Sequence, residues 1–527
     1  MKKFRSPFNT EFASKSDNAD RGSYEETNTK VLNYDGDFSV TYGKLINEKH
    51  MINTVGGMRL SQNGSDKSGY KVQGFIDDEF SNPAFALGYQ EDGKATYMDS
   101  KNRALSYYLN FGYSYDDRYL LDLNYRADGS SVFGSDKQFT NTWSVGLGWN
   151  IHNEAFFESV SGISLLKLRA SIGNPGNQNF NDYISTRVYS YNTNNMNIFG
   201  SSAIVSNLGN RGLEWQKTLD RNIGFDLVIV DNRLRVNFDY FNKKTDPLLV
   251  HIGTPSSTGA TTIPRNVGKQ ITQGVNVTLN YSIIRRDDMF WSVNANMRHQ
   301  TSEYRNVSDV LTKYNLDNRN RNLTRYYDGG SPSDLWAVRS CGIDPATGRE
   351  IFLTKEGKQT FVHDYDDEMV VGNSDPDVEG VIGTSFYYKG FSASINLRYR
   401  LGGQIFMQTL YDKVENLSSV KKWENLDKRA LYDRWKQPGD KAKFKSIADS
   451  EVTPISSRFV EDNNVLSGES ISLGYESTGK WLSRIGASSM SFRAYMNDIF
   501  RVSTVKNERG LSYPFARSVS FSLGVTF

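Results

Sequence analysis

The chain has 527 residues, with 62 Lys and Arg against 60 Asp and Glu, and its net charge of +2 lacks the basic excess of a nucleic-acid binder. Aromatic residues make up 13% of it, too many for a disordered chain. A single cysteine, Cys341, excludes an intramolecular disulfide and a zinc site built on cysteine clusters, and 5 histidines thin the prospects of a histidine-rich metal centre.

The N-terminal Met1-Lys2-Lys3-Phe4-Arg5-Ser6-Pro7 has a basic flank but no apolar run behind it, so no export signal is read in this chain. Nowhere does the chain hold the 18 or so consecutive apolar residues of a transmembrane helix, yet its mean hydropathy of -0.56 leaves a membrane β-barrel open, because barrel strands alternate. Residues 1–118 already read as strands and loops, with Phe38, Val40 and Tyr42 in alternation.

From there period two dominates. Tyr119, Leu121, Leu123 and Tyr125 alternate with Leu120, Asp122, Asn124 and Arg126. Trp143 to Trp149, Leu166 to Ile172, Leu234 to Tyr240, Trp291 to Met297 and Phe391 to Tyr399 repeat the pattern. Successive side chains of a strand point to opposite faces, so each segment has one apolar and one polar face. About fourteen to sixteen such segments can be placed, many about 9–11 residues long, the length a tilted strand needs to cross a bilayer. Aromatics close many of the apolar stripes, as Tyr119 and Tyr125 or Trp143 and Trp149 do, in the manner of interfacial girdles. A soluble sandwich or propeller also alternates, but Lys167, Arg169, Arg398 and Arg400 on the polar faces suit a wet lumen. Val236, Phe238, Leu123 and Ile395 are therefore expected to face lipid, and Arg235, Asn237, Asp122 and Arg398 the lumen.

Connections alternate in length. Short ones are Asp116-Asp117-Arg118, Asp231-Asn232-Arg233, Arg285-Arg286-Asp287-Asp288 and Lys389-Gly390, and long ones cover 174–218, 242–270, 300–377 and 402–468. This is the outer-membrane plan, with the long loops outside the cell. Within 407–435, Leu410, Val414, Leu417, Leu426, Ala430, Leu431 and Trp435 recur at helical spacing and predict partial helix. The chain ends on Val519, Phe521, Leu523, Val525 and Phe527, a final strand whose terminal aromatic resembles the assembly signal of bacterial outer-membrane proteins.

Chemistry-bearing motifs are few. The acidic run 363–368 could offer oxygens to calcium, but it lacks the spacing of an EF-hand and reads as a solvated loop. Asp375-Pro376-Asp377 reads as a turn before a strand at 378–388. Gly146 and Gly148 are no dinucleotide fingerprint, since no helix follows, and they suit close packing on the inward face. No nucleophile elbow exists, so no catalytic, metal or cofactor-binding residue is named and no enzyme is expected. Loop aromatics Tyr326, Tyr327, Trp336 and Trp423 are candidates for stacking on a substrate or partner, while Trp435 leans structural.

Several motifs, in order, resemble SusC/RagA-type TonB-dependent outer-membrane transporters of Bacteroidetes. They include Asp128-Gly129-Ser130-Ser131-Val132-Phe133-Gly134, Trp149-Asn150-Ile151, Glu154-Ala155-Phe156-Phe157, and Leu166-Lys167-Leu168-Arg169-Ala170-Ser171 with Gly176-Asn177-Gln178. Further on come Leu213-Glu214-Trp215-Gln216-Lys217-Thr218, Gly342-Ile343-Asp344-Pro345-Ala346-Thr347-Gly348, Val371-Gly372-Asn373-Ser374-Asp375-Pro376, Arg434-Trp435-Lys436-Gln437-Pro438-Gly439-Asp440, Ser456-Ser457-Arg458-Phe459-Val460 and Ser512-Tyr513-Pro514-Phe515. The resemblance implies an all-β fold, an antiparallel transmembrane β-barrel of which residues 1–527 form a C-terminal part without signal peptide or plug. It implies the outer membrane of a Gram-negative cell, import of oligosaccharides or peptides, a SusD-type surface lipoprotein as partner, and a TonB system acting through a plug not seen here. A passive porin and a secreted carbohydrate-binding protein are the alternative readings.

Overall fold

The computed structural model describes all residues except 10–16, 18–19, 90–92, 132–137, 178–185, 199, 215, 255, 260–261, 308, 321–322, 418–425 and 507–515. Fifteen long strands form one antiparallel sheet among the described residues: β1 (Ser23–Ile46), β2 (His50–Gln73), β3 (Thr96–Tyr115), β4 (Tyr119–Ser130), β5 (Phe139–Asn150), β6 (Ile163–Asn174), β7 (Gln216–Ile229), β8 (Leu234–Thr245), β9 (Lys269–Arg285), β10 (Met289–Arg305), β11 (Val378–Tyr388), β12 (Phe391–Leu401), β13 (Val465–Ser477), β14 (Ser489–Ser503) and β15 (Val519–Thr526). Each pairs with its sequence neighbours, so the wall is a meander. A short strand, Lys2–Arg5, pairs with the start of β1.

The register decides what each face carries. Phe111, Leu123, Val145 and Ile172 stand in one row across β3 to β6. Phe225, Phe238, Val277 and Met297 make another across β7 to β10, and Thr384, Ile395, Ile471, Met496 and Val519 a third across β11 to β15. The apolar sets of all these strands thus share one face, and that face is uncovered: Leu147 is 58%, Ile223 64% and Phe521 69% exposed. Water would not tolerate a contiguous apolar surface of this extent. Val236, Phe238, Leu123 and Ile395 lie on it. Arg235, Asn237, Asp122 and Arg398 lie on the opposite face, as their alternation demands. An Ile395→Arg exchange should destabilise the full-length protein by roughly 2–4 kcal/mol, the cost of a midplane cation in lipid. Ser385→Arg, on the polar face of the neighbouring strand, should leave the unfolding midpoint nearly unchanged.

Turn chemistry closes the short end. Lys389 (φ 47) and Gly390 (φ 91) join Tyr388 to Phe391 as a two-residue hairpin with both central residues left-handed, the twist antiparallel strands prefer. Asp116 and Asp117 are likewise left-handed, at φ 52 and 51. On the apolar face Gly380 has no room for a side chain, since a Cβ would lie 1.9 Å from the Asn296 carbonyl oxygen. The Tyr399 ring covers it, and its hydroxyl donates to that same oxygen at 2.9 Å.

One sequence expectation needs correction. Many strands exceed 9–11 residues: β1 and β2 have 24 each and β9 and β10 have 17. Their ladders run past the apolar band, through polar stretches such as 63–68 that carry no alternation to signal them. The partial helix expected within 407–435 takes the form, among the described residues, of one π-helical turn, Leu410–Glu415, and one 3₁₀ turn, Lys428–Ala430. Val414 packs on Phe444 and Phe459 instead of extending a helical face, and Asp427 starts a separate turn by accepting from the Arg429 amide. Leu431, expected on that face, is exposed.

Because one wall face meets lipid and the other is polar, the buried apolar clusters sit elsewhere. Leu248, Val250, Tyr304 and Leu311 form one, and Val414, Phe444 and Phe459 another, both at the long-loop end.

Candidate lumen wall and loop platform

The polar face holds a concavity of about 790 Å³ whose lining includes Asp37, Arg59, Tyr108, Arg126, Arg169 and Asp220. Charges there come in pairs. Arg169 Nε lies 2.9 Å from Asp226 and Nη2 3.0 Å from Asp239, while Asn237 donates to Asp226 at 2.6 Å. Arg59 pairs with Asp35 at 2.7 Å, Arg126 with Asp128 at 2.6 Å, and Tyr108 donates to Asp37 at 2.8 Å. Farther round, Arg398 meets Glu469 at 3.0 Å. Half-exposed pairs of this kind add little stability each. Their effect is a wet, hydrogen-bonding surface.

Above the wall, the loop between β10 and β11 folds into a four-stranded sheet of Asp334–Ile343, Glu350–Leu353, Gln359–Thr360 and Glu368–Asn373. Arg325, 1% exposed, anchors it by a forked contact to Glu368 at 2.8 and 2.5 Å. The loop between β12 and β13 docks on this sheet through a buried ionic knot. Arg458 Nη2 reaches Glu350 at 2.9 Å and Glu415 at 2.6 Å. Ser456 donates to Glu350 at 2.5 Å and Thr453 to Glu415 at 3.0 Å. Trp435 donates from Nε1 to the Pro345 carbonyl at 2.9 Å, and its ring lies so close to Gly348 (φ +74) that a Cβ there would be 2.5 Å from it. Trp435 is thus a structural clamp. The two loops make one platform.

Of the candidate aromatics, Tyr326 packs into the platform base, its ring 5.0 Å from Tyr304 and 5.3 Å from Tyr314. Tyr327, 41% exposed, stacks on Trp336 at 4.6 Å. These two come together and Tyr326 does not join them. Trp423 lies outside the described residues, as do Val132, Phe133, Gly134, Gln178, Trp215 and 512–515 of the motifs. Sequence reasoning missed the knot, since residues 350, 415 and 458 share no local spacing. Arg458 was visible only as part of a family-like motif.

The acidic run is committed to protein partners. Glu368 holds Arg325, Asp364 accepts from the Asp366 amide at 2.9 Å, Asp367 accepts from the Lys355 amide at 2.9 Å, and Asp366 lies 3.7 Å from Arg319. Asp375-Pro376-Asp377 does lead into β11 at Val378. His363 stands between Phe352 and Tyr365, with its Nε2 buried and unpartnered. Burial pushes its pKa down, against the Ile455 backbone and the charges of Glu350, Asp364 and Asp367. The folded state therefore holds fewer protons than the unfolded one. Its stability is full above the ordinary value near 6.5 and falls as pH drops through the lower folded value. Amide protection in 350–368, taken relative to the intrinsic exchange rate at each pH, should fall between pH 7 and 5, and His363→Phe should remove that dependence.

A meander with one lipid-facing and one polar face, and long loops at one end, is the wall of an outer-membrane-type β-barrel. The chain belongs to the TonB-dependent receptor family: the family described as "TonB dependent receptor-like, beta-barrel" matches residues 3–417. It is 26% identical to a TonB-dependent receptor of Formosa agariphila, over 94% of this chain and 51% of that protein. To the TonB-dependent receptor SusC of Bacteroides thetaiotaomicron it is 24% identical, over 81% and 44%. The solved structure of the RagAB peptide transporter superposes with a TM-score of 0.83 at 20% identity, over 96% of this chain and 55% of that one. The chain thus spans about half the length of the curated relatives it matches.

Proposed function

We propose that this chain supplies the wall, lumen lining and extracellular loops of an energised importer of oligosaccharides or peptides. A SusD-type lipoprotein would cap the platform, and a TonB system would act through a plug outside residues 1–527. The observation that carries the reading is the polar concavity, studded with paired charges and placed inside a wall whose outer face is apolar. A hydrogen-bonding ligand is matched by such a surface. The named relatives, SusC and a peptide transporter, support it. No catalytic group is assigned, because the barrel guides and selects.

The experiment is uptake of labelled oligosaccharide or peptide by cells making the full-length protein, with and without an uncoupler of the inner-membrane proton gradient. Import that stops with the uncoupler fits an energised transporter. Import that continues unchanged fits the passive porin. The secreted soluble alternative is disfavoured by the uncovered apolar face.

In this reading the platform lies outside the cell. Ser419, an obvious labelling position, is outside the described residues, but Cys341 is exposed on the platform sheet and serves the purpose unmodified. A membrane-impermeant maleimide should label Cys341 on intact cells. Labelling only after the outer membrane is opened would invert the topology. Phe527, exposed beyond the end of β15, is proposed as the assembly signal, and its deletion should lower the amount of protein reaching the outer membrane.

A further inference from the structure

At the short-turn end of the wall, the lipid-facing surface has a groove of about 580 Å³. Its lining includes Ile284, Trp291, Phe386, Ala393, Ile395 and Leu473. The register explains its depth. Trp291 stands opposite Phe386, Phe386 opposite Ala393, and Ala393 opposite Leu473. One step along, Thr384 stands opposite Ile395. Ala393 and Thr384 are therefore diagonal neighbours, two small side chains in a field of large ones. The groove's wall is fixed: Trp291 Nε1 donates to Thr384 Oγ1 at 2.9 Å, which holds the indole across the strands and satisfies its N–H away from lipid. A bulge between Ser282 and Ile284 re-aims Ile284 onto the other side.

Within a bilayer the hydrophobic effect does not distinguish a groove from bulk lipid, so fit and headgroup chemistry decide what stays. The groove's mouth supplies that chemistry. It opens beside two turns, 285–288 and 389–390, which touch through the Lys389 amide and the Asp288 carbonyl at 3.0 Å. Arg286, which exchanges backbone hydrogen bonds with Met289, is exposed there with Asp287 and Asp288, and none of the three has a side-chain ion pair among the described residues. Lys389 extends its ammonium over the Tyr388 ring at 5.2 Å. Unspent charges of both signs stand side by side at the edge of an apolar slot.

An anionic headgroup would meet Asp287 and Asp288, and a purely cationic one would meet Arg286 and Lys389. A zwitterion carrying a phosphate and a primary ammonium satisfies both. We propose that the groove and its two turns bind one phosphatidylethanolamine, an acyl chain lying along Ala393 and Thr384, the phosphate on Arg286 and Lys389, and the ammonium on the two aspartates. With the short turns on the periplasmic side, which rests on the topology proposed above, this is a lipid of the inner leaflet.

Native mass spectrometry of the delipidated full-length protein in detergent, titrated with dioleoyl phosphatidylethanolamine or dioleoyl phosphatidylglycerol, tests it. Because binding in micelles does not depend on orientation, a failed Cys341 topology and a failed lipid site are separable. One phosphatidylethanolamine should be retained, about tenfold more tightly than by Ala393→Trp, which fills the slot. Ala170→Trp, elsewhere on the same apolar face, should bind as the parent does. Asp287→Asn with Asp288→Asn alters only exposed turn positions and should abolish the preference over phosphatidylglycerol, because these two carboxylates alone meet the ammonium that phosphatidylglycerol lacks. Equal retention by the parent and Ala393→Trp, or no retained lipid, would overturn the site, and equal affinity of the parent for both lipids would overturn the headgroup assignment.

Discussion

Arg458→Met should destabilise the loop platform by about 3–5 kcal/mol, the usual consequence of removing one partner from a buried ionic cluster. The side chains of Glu350 and Glu415 are 6% and 0% exposed, and Arg458 is the cation both share. Burial works against the Arg458 charge, but Glu350 and Glu415 outweigh it and push its pKa above the ordinary value. Without the guanidinium, two carboxylates face each other with only hydroxyl and amide donors left. Amide exchange should rise in the sheet strand Glu350–Leu353, in Leu410–Glu415 and around 444–459, while the wall strands keep their protection. Arg458→Lys should rescue little, because one ammonium cannot reproduce a planar fork aimed at two acids. Adding Glu350→Gln to Arg458→Met should recover part of the loss, since one of the two carboxylates that lost Arg458 is then neutral, while Glu415 still faces the buried Arg434. Unchanged exchange in the single variant would mean that the two loops are joined by their apolar contacts alone.

The wall was legible because each strand states its own solution. Leu123 must differ in environment from Asp122 and Asn124 whichever strand lies beside it, so alternation survives without knowledge of the partners. Turns were equally local: Lys389-Gly390 and Asp116-Asp117 offer residues that tolerate left-handed backbone. The polar extensions of β1 and β2 were invisible because water satisfies both of their faces, and no hydrophobic choice marks the residues. The platform was invisible for the opposite reason. Glu350, Glu415 and Arg458 are each ordinary in their own sequence neighbourhood and acquire meaning only when three distant segments meet. Helical spacing at Leu410, Val414 and Leu417 marked a short turn and not a long helix, because Val414 and Leu417 are buried against other segments, and burial of a few residues at intervals of three or four needs only a single turn. Tyr326 and Tyr327 show the same limit, for adjacent tyrosines went to a packed base and an exposed stack. Family resemblance, in contrast, ran through turn and loop motifs that backbone alternation leaves undetermined.

Residues 1–527, exported alone, should fail to form a closed native-like barrel. Beyond Thr27, β1 pairs only with β2, and β15 pairs only with β14; no pairing joins β15 to β1 among the described residues. An edge left unpaired would present a row of N–H and C=O groups at membrane depth, where an unsatisfied group costs several kcal/mol and only a closed ladder is tolerated. We propose that the remaining strands of a larger plugged barrel cover both edges, consistent with a chain that spans about half of its relatives. The competing outcome is closure of these fifteen strands on themselves, which needs β15 to pair with β1. That pairing is unequal, since β15 has 8 residues and β1 has 24, so most of the β1 edge would stay open even then. Expression behind an added signal peptide separates the outcomes. Aggregation or degradation, relieved by co-expressing the complementary strands, is the expected result. A heat-modifiable band on gels together with a large steady conductance in planar bilayers would establish self-closure, and the wall would then be an autonomous pore.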